Sequence, residues 1–62
     1  MNLRKVTCLD GTSYKVGEVM AKGTVKEISI KYLTYNLIEI QVKTSTETIH
    51  IPYHAVLLYI EE

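Results

Sequence analysis

Cysteine is almost missing from this chain: Cys8 is the only one in 62 residues. No intrachain disulfide can form, and a reducing, cytoplasmic setting is the expectation. With His50 and His54 it makes three Cys or His side chains, short of the four that structural zinc takes, so neither a metal nor a cofactor is expected. Phenylalanine and tryptophan are absent, and the aromatic content is five tyrosines. The three glycines, Gly11, Gly17 and Gly23, are too dispersed for a phosphate-cradling loop. No apolar run approaches the ~20 residues of a membrane span. Met1-Asn2-Leu3-Arg4-Lys5 leads into a short strand-like run rather than a stretch of signal length. Net charge is also lacking, seven basic residues standing against seven acidic ones, which implies no general attraction to nucleic acid. A chain this short buries little core, and with no disulfide and no metal the remaining support is self-association.

The charge that is present is polarised. Residues 1–31 hold six basic and three acidic side chains, whereas residues 32–62 hold one and four. Twenty residues are Val, Ile or Thr, side chains stiff at the β-carbon that suit a pleated surface. The pattern predicts five or six short strands and no α-helix. Lys5–Leu9 reads as a strand closed by Asp10-Gly11, a pair that takes the positive φ angles of a tight turn. Thr12–Met20 continues in strand composition with a bulge or bend at Gly17. In Val25–Tyr32, Ile28, Ile30 and Tyr32 alternate with polar residues, and Val25 is out of phase, predicting a kink near Lys26-Glu27. Asn36–Thr44 puts Ile38, Ile40 and Val42 on one face, and Thr44–Glu47 is a polar turn. Thr48–Tyr53 puts Ile49, Ile51 and Tyr53 together, and Pro52 must end the strand, bulge it, or mark an edge. A short helical turn at His54-Ala55 precedes a last strand, Val56–Ile60. The predicted core is Val6, Ile28, Ile30, Ile38, Ile40, Val42, Ile49, Ile51 and Val56. The fold class is all-β, a single strongly bent five-stranded barrel over residues 1–62.

Three stretches resemble the Sm/Hfq-like small β-barrels, a branch of the SH3-like barrels. Val6-Thr7-Cys8-Leu9-Asp10-Gly11-Thr12 is similar to the family's first strand and turn. Thr34-Tyr35-Asn36-Leu37-Ile38-Glu39-Ile40 resembles its first signature. The stretch from Ile49 to Ile60 resembles its second signature, with Pro52-Tyr53 where Arg-Gly would stand. The resemblance implies RNA contacts at Tyr35 and Asn36, which by residue type also read as a packed loop tyrosine and a turn asparagine. It implies pore-lining positions for Tyr53 and His54, and pairing of the last strand with the preceding strand of a neighbouring subunit.

No catalytic residue is assigned. His50 and His54 are four apart with Pro52 between them, which argues against a helical metal face, and Cys8 reads as a buried, inert thiol. The last strand, Ala55–Ile60, is apolar on both faces. The expectation is that Val56, Leu58 and Ile60 complete the core and leave Leu57 and Tyr59 exposed beside unpaired backbone. The expected function is a non-enzymatic, homo-oligomeric binding or assembly module that engages a protein partner or sequesters a small ligand. Its interface would be formed by Ile49, Ile51, Leu57 and Tyr59, and its ligand site by Tyr35, Asn36, Tyr53 and His54. The alternative is a single-stranded RNA-binding ring; a membrane partner is not expected.

Overall fold

A computed structural model describes residues 2–34 and 37–62, Leu37 by its backbone alone. Among the described residues seven strands form: β1 (Asn2–Cys8), β2 (Ser13–Lys15), β3 (Val19–Met20), β4 (Gly23–Thr34), β5 (Leu37–Thr44), β6 (Thr48–Pro52) and β7 (Val56–Glu61), with a 3-10 turn, Tyr53–Ala55, between the last two. Every pairing is antiparallel, and the ladders run β7-β1-β4-β5-β6 with β2 beside β1 and β3 beside β4. Five strands carry the architecture, and their sheet curls strongly into a half-barrel. No helix among the described residues is long and apolar enough to cross a membrane.

The turns show how the sequence sets the curl. Among the described residues only Gly11, Gly17 and Gly23 have positive φ, so Asp10 does not share the left-handed conformation expected of it. Gly11 N–H donates to the Cys8 carbonyl at 3.0 Å and Cys8 N–H to the Thr12 carbonyl at 2.7 Å. This is a three-residue hairpin loop in which Gly alone supplies the positive φ. At Gly17 the chain changes neighbours. Val16 N–H still donates to Arg4 on β1, while Gly17 N–H donates to Val25 on β4.

The core fills the hollow of the curl: Leu3, Val6, Cys8, Val25, Ile28, Ile30, Ile40, Val42 and Ile51 are buried, and Ile38, Ile49 and Val56 pack against them half-buried. Val25 and Ile28 both point inward although they are three apart. The register shift between Val25 and Glu27 absorbs Lys26 as an extra residue, and such a bulge resets the period-two phase. The kink was legible in the sequence. The inward place of Leu3, at the start of a strand longer than the predicted one, was not.

The last strand corrects the expected phase. Cys8 pairs with Val56 but Thr7 pairs with Leu58, so Leu57 is looped out of register. The bulge turns Val56 and Tyr59 onto the core and leaves Leu57, Leu58 and Ile60 exposed at 59%, 49% and 37%. Leu58 and Ile60 therefore do not complete the core, and Tyr59 is half-buried rather than exposed.

Candidate functional site

Among the described residues the two longer strands with a single partner are β6 and β7; the short β2 and β3 also pair with one strand each, β1 and β4. Among the described residues β6 pairs only with β5, and β7 only with β1. Pro52 ends β6, consistent with a residue that cannot donate to a ladder, and the 3-10 turn carries the chain across to β7. Beside β6 lies a groove of about 460 Å³. Four successive residues of β6, Ile49 to Pro52, line it, so it follows the strand's edge and not one face. Cys8, Leu9, Asp10, Thr12 and Tyr14 of the β1–β2 hairpin line it too, with His54 and Ala55 of the 3-10 turn. The molecule thus presents a strand edge with apolar side chains on β7 and an apolar channel along a strand edge on β6.

Three polar groups of the groove are shifted by their surroundings. Burial, and then the Asp10 charge, push the Cys8 thiol up, so it carries little of the thiolate that nucleophilic chemistry requires. Tyr14 is raised by burial foremost. Asp10 is held low because its Oδ1 accepts the Thr12 N–H at 2.8 Å. No hydrogen bond among the described residues joins Cys8 to either histidine.

A second cleft, of about 330 Å³, adjoins the groove at His50, Pro52 and His54 and is lined further by Leu33, Ile38, Glu39 and Tyr53. Its polar end is a cross-strand cluster. Glu39 Oε2 accepts from Gln41 Nε2 at 2.7 Å and meets His50 Nδ1 at 2.6 Å. His50, followed by Gln41, holds the Glu39 carboxyl below its ordinary value. An ionised carboxylate only accepts hydrogen bonds, so both neighbours must donate and His50 carries its proton on Nδ1. Tyr53 tilts against Tyr59 with ring centroids 6.5 Å apart, and its hydroxyl pushes the Tyr59 phenol up. Among the described residues no three His, Cys, Asp or Glu side chains are grouped to hold a metal ion.

The structure brings Tyr53 and His54 together on the 3-10 turn, both exposed. Tyr35 and Asn36 lie outside the described residues. Ile49 is half-buried and Ile51 buried on β6; Leu57 is exposed at the bulge and Tyr59 packs inward. Sequence reasoning missed the Glu39–His50–Gln41 cluster. The signal was available in the turn: a hairpin centred on Ser45-Thr46 sets Gln41 opposite His50 and Glu39 opposite Pro52, and a diagonal pair on one face is within reach of long side chains. Comparison with protein-family models, with curated proteins and with solved structures gives no significant match.

Proposed function

We propose that this chain is a non-enzymatic assembly module that joins copies of itself by strand addition, β7 of one subunit lying along the β6 edge of the next. The observation that carries the reading is the pair of open edges on β7 and β6. One bears exposed Leu57, Leu58 and Ile60, and the other is flanked by the Ile49–Ile51 groove. Unpaired edges invite pairing with another chain. Covering the exposed fractions of the three β7 side chains contributes about 2–4 kcal/mol, taking roughly 1.5–3 kcal/mol for each fully buried side chain. That is large beside the roughly 3–9 kcal/mol expected of a domain this size.

The contact is heterologous, because donor and acceptor are different surfaces. It therefore closes into a ring or runs on as a filament. The sequence resemblance to Sm/Hfq-like barrels supports the ring, since those proteins pair the last strand with the preceding strand of a neighbour. A second reading, single-stranded RNA binding by the same ring, is favoured by exposed Tyr53 and Tyr32, whose faces offer bases a stacking surface.

Leu58→Glu tests the assembly. It places a charge in the middle of the donor strand, at an exposed site whose loss leaves the core intact. The variant is expected to stay folded by circular dichroism and to lose mass by light scattering. A folded variant of unchanged mass rejects the strand-addition reading.

A further inference from the structure

We propose that the cleft beside the Glu39–His50 pair is a binding site for a small organic cation with an apolar body, an amidinium or ammonium on a hydrocarbon or aromatic frame. The site adjoins the β6 groove and shares His50, Pro52 and His54 with it, but Leu33, Ile38, Glu39 and Tyr53 belong to the cleft and not to the groove. Glu39 has part of its acceptor capacity in use. Its Oε2 takes two donors, Gln41 Nε2 at 2.7 Å and His50 Nδ1 at 2.6 Å, leaving Oε1 as an acceptor. His50, its Nδ1 committed, offers Nε2, which accepts when the ring is neutral.

The polar end of the cleft is therefore rich in acceptors, and the rest is apolar: Leu33, Ile38, Pro52 and the Tyr53 ring. A planar fork of N–H donors suits adjacent acceptors, and about 330 Å³ is at the small end of ligand sites. The Glu39 side chain is only 16% exposed, so its charge is less screened than that of a surface carboxylate. The other groups facing the pair are Lys31, opposite Glu39 across the β4–β5 ladder, and His54 at the rim. Lys31 forms no ion pair with Glu39 and does not line the cleft.

The probe is benzamidine, titrated into labelled protein and followed by amide shifts in NMR spectra, with benzoate and benzyl alcohol as controls. Benzamidine at millimolar concentration is expected to shift the amides of Leu33, Glu39, His50 and Tyr53, and the controls are not. The isosteric Glu39→Gln should lose affinity at least about tenfold, as expected when a charge-assisted hydrogen bond is removed, and Lys31→Gln should bind a few-fold more tightly. The proposal is overturned if benzamidine leaves those amides unmoved, if benzoate or benzyl alcohol moves them equally, or if Glu39→Gln binds as the parent does.

Discussion

Replacing Gly23 by alanine should destabilise the fold more than the same change at Gly11, and the difference can be worked out from the contacts. Both glycines have strongly positive φ, +100° and +92°. Placing a Cβ in a left-handed conformation costs about 1–2 kcal/mol at either site. The restriction of the unfolded chain by alanine is common to both and drops out of the comparison. The surroundings differ. A Cβ on Gly11 meets nothing within 4 Å, whereas on Gly23 it would sit 2.3 Å from Ser45 Oγ. That hydroxyl can rotate away, but it accepts the Thr24 N–H at 3.1 Å, and rotation gives up the bond, worth about 0.5–1.5 kcal/mol. Gly23→Ala should therefore cost about 2–3 kcal/mol and Gly11→Ala only the backbone part.

Urea unfolding of the two variants, with Ser45→Ala and the Gly23→Ala/Ser45→Ala double variant, separates the two contributions. In the Ser45→Ala background the hydroxyl is already gone, so Gly23→Ala should cost about 1 kcal/mol less than in the parent. The consequence reaches beyond one turn. Ser45 N–H donates to the Thr24 carbonyl at 2.9 Å and Thr46 Oγ1 to the Lys22 carbonyl at 2.6 Å, so these contacts fasten the β5–β6 turn to the β3–β4 turn. Equal costs at Gly11 and Gly23, with no coupling to Ser45, would show that the Ser45 hydroxyl does not set the cost at Gly23.

Two further outcomes follow from polar groups. Ser29 is 2% exposed and its Oγ has no hydrogen-bond partner. Ser29→Ala should therefore hold or raise the Tm, and a loss of more than about 1 kcal/mol in thermal unfolding would mean the hydroxyl is satisfied after all. Glu39 has its folded pKa held below the ordinary 4.5 by His50 and then Gln41. On acidification the unfolded carboxylate takes its proton first. The contribution is fully present above the ordinary value and is lost as pH falls through the folded one. Urea midpoints for Glu39→Gln should accordingly fall less steeply below about pH 4.5 than those of the parent; parallel curves would exclude the pairing.

What the sequence reveals and what it hides divide along one physical line. Period-two patterning identified Ile28, Ile30, Ile40, Val42 and Ile51 as core, because each alternates with a polar neighbour on a regular ladder. Pro52 restricted its strand to an end, a bulge or an edge, of which the structure shows the end, and His54-Ala55 marked a helical turn, both for reasons local to those residues. The failures occur where a ladder slips. In β7 every position from Val56 to Ile60 is apolar, so the pattern itself cannot fix the phase, and the skipped Leu57 decides it. Leu58 and Ile60 consequently exchange roles with Tyr59 relative to the expectation. The Glu39–His50 contact was hidden because it depends on the β5–β6 register rather than on neighbours in sequence.

The most direct test of the account is the native mass of the parent protein, measured by light scattering after size exclusion over a wide concentration range. Strand addition between β7 and β6 predicts a particle of several 7.1 kDa chains, of one defined size if the contact closes into a ring. A folded particle that keeps the mass of one chain at every concentration would contradict it.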